Sequence, residues 1–463
     1  MQKAIIDNTI EQAKLFGILK YLADGVLTHA PFSLSPYTIS STALQEMTSL
    51  TAPFSELMIA VSQDWDFLKY YLDPIAETDL FLRMLLDFSL KEVRQQRQLL
   101  IQRNDFFIVK NQFEADILEN TTSSSDSCSS VLRQVELNTV SASFPFLITQ
   151  LSQLHNSLYE QGLFPQTVAN NPLTAVVDAF AQAIRGYAAA DAVLLMVIQA
   201  AETNLFDQLG LEHLLWKEHK IKTIRKTLPE IYSAGSLREG HLIIDGKTAA
   251  VTYYRAGYTP DDYRTPEALK GRQLLEASST IQVPDLAMQL AGMKKIQQVL
   301  THPEILSEFV SPEVSKRLLK TFAKMHSLDE NIKTPAGEMQ VSEWVSMNPE
   351  KYVLKPQREG GGNNYFESEI PVILQKIRQD EQDAYILMEK IEAEIHSATL
   401  VVNGHAETLS CVSEVGRYGI CFAENGKLKS NEDIGYLVRT KSENVNEGGV
   451  CTGFACLNSL AVQ

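Results

Sequence analysis

The segment VLKPQREGGGNNYF, Val353 to Phe366, places Lys355, Arg358 and Glu359 within five residues and then runs into Gly360, Gly361, Gly362, Asn363 and Asn364. It follows Tyr352 and begins with Val353-Leu354, an apolar run that reads as a short strand. Glycines let backbone N–H groups approach phosphate oxygens with no Cβ in the way. A lysine on the strand end can supply a point charge to those phosphates. A carboxylate beside the loop can hold Mg²⁺, which takes oxygen ligands from one or two acids and from phosphates. This is not a Walker A loop, because no Gly-Lys-Ser/Thr follows the glycines. A solvated surface loop has the same composition, so both readings stay open at this point.

A second group is Val135-Glu136-Leu137-Asn138. In a strand, residues two apart share a face, so Glu136 and Asn138 point one way and Val135 and Leu137 the other. A carboxylate and an amide oxygen on one face suit a hard cation; an edge strand with one solvated face has the same pattern. Ser141 and Ser143 can donate to a carboxylate, or cap a helix starting near Phe144. Arg103, Arg255 and Arg439-Thr440-Lys441 can grip carboxylates or phosphates, although lone arginines are usually surface residues. Lys294-Lys295, at a helix start, is expected to be solvated. The nine histidines show no HExxH or other metal spacing, and no GxSxG elbow is present. Hydrolase chemistry has little support.

The elements that must position these groups read as mixed helix and strand. MQKAIIDNTIEQAKLFGILKYL reads as an amphipathic helix through Ile5, Ile6, Ile10, Leu15 and Leu19, too acidic for a signal peptide. The chain from Ile5 to about Gln112 reads as mostly helical, including LLDFSLKEVRQQRQLLIQR. TTSSSDSCSS at 121–130 reads as a surface loop, and VLRQVELN as a strand. Helices over Pro172–Ala190 and Leu205–Lys217 flank a buried strand at Val193–Gln199. That alternation predicts an α/β lobe over about 191–295. HLIIDGKTAAVTYYR reads as a hairpin turning at Asp245-Gly246. Helices follow over 285–325, then the opening strand and a strand over YILMEKI (385–391). An antiparallel meander turns at Asn403-Gly404 and Asn425-Gly426.

The 463 residues, 44% hydrophobic and 21% charged, allow a large core and two or three lobes. A net charge of −16 and a pI near 5.1 argue against general nucleic-acid binding and require any anion site to use a few placed cations. The five cysteines, Cys128, Cys411, Cys421, Cys451 and Cys456, form no CxxC pair and read as reduced thiols of a cytoplasmic protein. The longest apolar run, Ala192–Ala201, is too short to span a membrane.

Taken together, VLKPQREGGGNN (353–364), QVELNTVSASF (134–144), TNLFDQ (203–208), YYRAGYTPDDY (253–263), PDLAMQLAGMKKIQQ (284–298), YILMEKIE (385–392) and YLVRTKSENVNEGGV (436–450) resemble, in order, the signature segments of eukaryotic-type glutathione synthetases. With APFSLSP (30–36), the resemblance covers essentially the whole chain. It implies an α/β (α+β) ATP-grasp core with a lid. An N-terminal helical part (1–190) would contribute to the core, 191–295 would be an inserted substrate lobe, and 296–463 would carry core, lid and glycine-rich loops. It also implies an ADP-forming ligase that joins γ-glutamylcysteine and glycine through an acyl phosphate, with ATP as co-substrate and two Mg²⁺ per site. A homodimer is implied by the resemblance alone.

By that resemblance, Glu136, Asn138 and Glu359 would hold the metal. Arg103, Lys355 and Arg439 would be catalytic. Lys294, Lys355, Glu359 and Gly360 to Asn364 would face ATP, with Phe366, Met388, Glu389, Lys390, Ile391, Glu414, Lys441 and Glu447 completing its site. Arg103, Val140, Ser141, Ala142, Ser143, Glu202, Thr203, Asn204, Gln208, Arg255, Ala256, Gly257, Tyr258, Arg439, Val450 and Cys451 would hold the substrates. Five positions depart from the pattern: Phe366 stands where Tyr is usual, Glu447 where Asp is usual, Ala256 where an acid is frequent, and the pair Cys451-Thr452 where glycine-using members carry two alanines. The last pair leaves β-alanine or serine as alternative acceptors, since one or two atoms in a small pocket shift discrimination by roughly 1–3 kcal/mol. A non-catalytic nucleotide-binding homologue is the other alternative.

Overall fold

The computed structural model of the protein describes residues 3–22, 25–89, 96–109, 131–334, 337–358, 362–450 and 453–463. Its centre is a seven-stranded sheet in the order Ile395–Val402, Phe32–Ser33, Cys456–Asn458, Lys427–Ser442, His405–Glu424, Arg97–Val109, Val131–Asn138. The Ile395–Val402 strand also pairs with His405–Glu424, so part of this sheet closes on itself. The turns at Asn403-Gly404 and Asn425-Gly426 both have positive φ at each residue, the conformation a two-residue hairpin turn requires.

Both faces of the sheet are covered. Leu99 and Ile101 enter the core with the Pro145–Glu160 and Pro172–Gly186 helices. Leu100, Phe106 and Ile108 enter the core with the long Ser41–Gln63 helix. A strand buried on both faces shows a near-continuous apolar run instead of alternation. That is why RQLLIQRNDFFIV, expected to continue a helix, is the Arg97–Val109 strand. The N-terminal helix also stops earlier than expected, at Leu15; Leu15 is exposed, and Leu19 belongs to a short strand. The 121–130 segment lies outside the described residues.

A second sheet runs Thr223–Lys226, Ala192–Val197, Lys247–Tyr254, His241–Ile244, Gly235–Arg238, with Ile281–Val283 parallel to Lys247–Tyr254. The first three strands of that path are mutually parallel, so Glu202, Arg255 and Tyr258 follow the carboxyl ends of parallel strands, where α/β sheets place ligands. Asp245-Gly246 forms the expected turn, with φ of 48° and 74°. A third, four-stranded sheet runs Met325–His326, Tyr385–Glu389, Tyr352–Pro356, Tyr365–Phe366. The strand expected over 385–391 ends at Glu389.

Candidate functional site

Strands of the central and four-stranded sheets carry the charged residues into one cavity of about 1100 Å³. Part of its wall is built on the Arg97–Val109 strand, where Arg103 and Asp105 share a face. Arg103 donates from Nε to Asp105 Oδ1 at 2.6 Å and from Nη2 to Oδ2 at 2.7 Å. Arg439, on the Lys427–Ser442 strand, donates to the same Oδ2 at 3.0 Å and also pairs with Glu414. Asn138 Nδ2 donates to Asp105 Oδ2 at 3.0 Å and to Glu136 Oε1 at 3.3 Å. One buried carboxylate thus orients two guanidiniums and an amide.

Gly416 makes room for this arrangement. It is the register partner of Asp105, and a Cβ there would fall 2.3 Å from Asp105 Oδ1 and 2.8 Å from Arg103 Cδ. Sequence reasoning missed both Asp105 and Gly416. The two-residue spacing of Arg103 and Asp105 marks a shared face only once the segment is known to be a strand. A glycine inside a strand often marks such a close approach.

The electrostatics follow from this packing. Burial would raise the Glu136 carboxyl, but Lys294, Lys355, Arg439 and Arg103 outweigh it and hold the group at about 2. Glu414 is pushed up by burial and by the neighbouring carboxylates Asp105 and Glu136, against the pull of Arg439. Burial lowers the Lys441 ammonium, with Glu414 and Glu447 partly offsetting it.

Arg103, Arg255 and the Lys294-Lys295 pair are buried, contrary to the surface expectation. Lys294 Nζ donates to the Arg358 carbonyl, and Lys295 pairs with Asp383 at 3.1 Å. Lys355 Nζ donates to the Val135 carbonyl at 3.2 Å. Val135 sits at a bulge, since Asp105 pairs with Glu136 and Phe106 with Gln134. The bulge breaks the expected alternation: Val135 lines the cavity, whereas Leu137 enters the core.

At one end of the cavity Val353, Phe366, Met388 and Ile391 offer apolar surface, beside Asn364, Glu389 and Lys390. Lys441, Glu447 and Val450 also line it, and Glu447 accepts from the Gly362 N–H at 2.9 Å. Glu359, Gly360, Gly361 and Cys451 lie outside the described residues. Among the described residues no cluster of three acidic, histidine or cysteine side chains is arranged for a metal. Glu136 and Asn138 nevertheless present a carboxylate and an amide oxygen on the cavity wall, and these hard donors fit Mg²⁺.

Val140, Ser141, Ser143 and Tyr258 line the other end. Arg255 stands behind them, donating to Ser143 Oγ at 2.7 Å. Neither serine caps the following helix. Phe144 takes the left-handed conformation at its start, and Asp207 accepts from the Phe144 and Phe146 N–H groups at 2.9 Å each. Glu202 accepts from the Asn204 N–H and from Gln208 Nε2, and Gln208 in turn accepts from Arg225. Arg225 is a further contributor that the sequence reading did not include. Gly362, Asn363, Ala142, Glu202, Thr203, Asn204, Gln208, Arg255, Ala256 and Gly257 do not themselves line the cavity.

Comparison with known proteins gives a consistent result. A family model described as eukaryotic glutathione synthase, ATP binding domain, matches residues 3–462. The chain is 35% identical over 449 residues to the chloroplastic glutathione synthetase of Solanum lycopersicum, covering 94% of this chain and 78% of that one. It is 35% identical over 450 residues to the glutathione synthetase of Homo sapiens, covering 94% and 90%. A solved glutathione synthetase-like effector from Globodera pallida, in the apo form, superposes with a TM-score of 0.77 at 19% identity, over 99% of this chain and 96% of that one. The last likeness concerns the fold alone.

Proposed function

The chain belongs to the eukaryotic glutathione synthase family, and from that premise we propose that it is the ADP-forming ligase that joins γ-glutamylcysteine to glycine. ATP would occupy the end of the cavity lined by Val353, Phe366 and Met388, with its phosphates toward Lys294, Lys355 and Lys441. The dipeptide would lie at the end lined by Ser141, Ser143 and Tyr258. The carrying observation is the pair of guanidiniums, Arg103 and Arg439, which both bond Asp105 and line this cavity.

The reaction then needs positioning and charge neutralisation, with no side-chain nucleophile. The cysteinyl carboxylate attacks the γ-phosphorus of ATP, ADP departs, and an acyl phosphate forms. The neutral glycine amine attacks that carbonyl carbon, inorganic phosphate leaves with the electron pair of the C–O bond and takes up the proton that the nitrogen gives up, and an amide bond remains. Arg103 and Arg439 balance the charge that gathers on the carboxylate and the transferred phosphoryl group. Lys294 and Lys355 exchange main-chain carbonyl partners for phosphate oxygens. Glu136 and Asn138, joined by Glu359, would hold Mg²⁺, which when bound supplies charge neutralisation at the phosphates. The division into an ATP-grasp core, a lid and a substrate lobe over 191–295 belongs to the same reading, as do a homodimer and a cytoplasmic location. Among the described residues no helix is long and apolar enough to cross a membrane.

The test is turnover with ATP, Mg²⁺ and γ-glutamylcysteine across glycine, β-alanine and serine, following both ADP and the tripeptide. Glutathione is the expected product, with glycine giving the highest kcat/KM. A tenfold preference for another acceptor would overturn the glycine assignment, and no ADP release with any acceptor would overturn catalysis.

A further inference from the structure

Behind the dipeptide end of the cavity lies a buried cation that the reaction does not use. Arg272, fully buried, sits on the Pro266–Glu276 helix. Its Nε donates to Glu276 at 2.5 Å, and its Nη2 to Gln289 at 3.0 Å. Its Nη1 donates to the Tyr263 hydroxyl at 3.1 Å and to the Gly257 carbonyl at 3.4 Å. The Gly257 carbonyl also accepts from the Tyr263 hydroxyl at 2.9 Å and from Gln289 Nε2 at 3.3 Å. Three donors therefore converge on one carbonyl. The N–H of the same residue is held by Asp262 at 2.9 Å. Gly257 has φ of +95°, and a Cβ there would meet the Tyr263 hydroxyl at 3.2 Å.

Gly257 immediately precedes Tyr258, which lines the cavity, and lies two residues after Arg255, which donates to Ser143. A buried ion pair is weak evidence for stability, because an apolar cluster of the same volume folds as well. A fully satisfied buried network does hold its members in one geometry. We propose that Arg272 and Tyr263 are positioning residues for the dipeptide, fixing through the Gly257 carbonyl where Arg255 and Tyr258 present their side chains. This rests on the assignment of Arg255 and Tyr258 to γ-glutamylcysteine.

The test compares Tyr263→Phe and Arg272→Lys with the wild type. Tyr263→Phe keeps the ring and removes one hydroxyl, so it holds the test open if the arginine variant folds poorly. KM for γ-glutamylcysteine, KM for ATP and the thermal midpoint are measured together. Tyr263→Phe is expected to raise the dipeptide KM about three- to tenfold, the scale of one lost hydrogen bond, with KM for ATP and the thermal midpoint unchanged. Arg272→Lys, which loses the planar fork, is expected to raise it about tenfold or more. A parallel rise in both KM values with a lowered midpoint would mean a structural role and overturn the proposal. An unchanged dipeptide KM in an active enzyme would overturn it alone. A wild type that neither binds nor converts the dipeptide would overturn the parent reading and this one with it.

Discussion

At one end of the cavity Lys294, Lys355 and Lys441 donate to the main-chain carbonyls of Arg358, Val135 and Asn446. Behind the other end, outside the cavity lining, Arg255 is tied to Ser143 and lies 3.8 Å from Asp207, while Gln208 bridges Glu202 and Arg225. An ammonium on a flexible stem is a point charge that can trade a carbonyl for a phosphate oxygen. A guanidinium or amide bonded on several sides has a fixed outline and selects a ligand by shape. On the proposed assignment, the end taken by ATP would read charge and the end taken by the dipeptide would read geometry.

The sharpest test of this contrast is Lys355→Ala. It should lower kcat by about 10²–10³-fold, the scale of one lost transition-state donor, while the fold and the dipeptide KM stay as in wild type. Steady-state kinetics with a thermal melt checks this, and an equal rise in both substrate KM values would erase the distinction. Arg255→Lys keeps the charge and loses the fork. It should lower kcat/KM for the dipeptide about 10- to 100-fold and leave KM for ATP in place. If charge alone mattered at this end too, the lysine variant would be near normal.

The smallest expected effect is a pH dependence confined to the nucleotide end. Burial places the Lys441 ammonium below its ordinary value of 10.5. Its charge is present at lower pH and is lost as pH rises through that depressed value. KM for ATP should therefore climb roughly tenfold on an alkaline limb that starts below pH 10.5. KM for the dipeptide should not follow Lys441, and Lys441→Arg should remove the limb. A limb that persists in the arginine variant would assign the titration elsewhere.

The same contrast explains how much could be read before the fold was known. The hairpins at Asp245-Gly246, Asn403-Gly404 and Asn425-Gly426 were legible because a two-residue turn needs those residue types. The segment at 353–364 has its lysine, acid and glycines contiguous in the chain, so its composition could be read as a phosphate loop or as a solvated loop without the fold. Asp105 was not legible, because a doubly buried strand carries no alternation to separate it from a helix. Nor was the bulge at Val135, which puts that residue on the cavity wall. Capping was one of two readings of Ser141 and Ser143, and Asp207, on another helix, performs that task.

The sequence by itself determined the turns, the residue types able to meet phosphate, and the family to which their order belongs. These depend on neighbours a few residues apart. The tertiary structure alone decided that Arg439 and Asp105, 334 residues apart in the chain, share one hydrogen bond, and that Gly416 leaves the space for Asp105 and Arg103 to lie as they do. Strand register fixes which distant side chains meet. Burial then converts that meeting into a charge arrangement that no short segment contains.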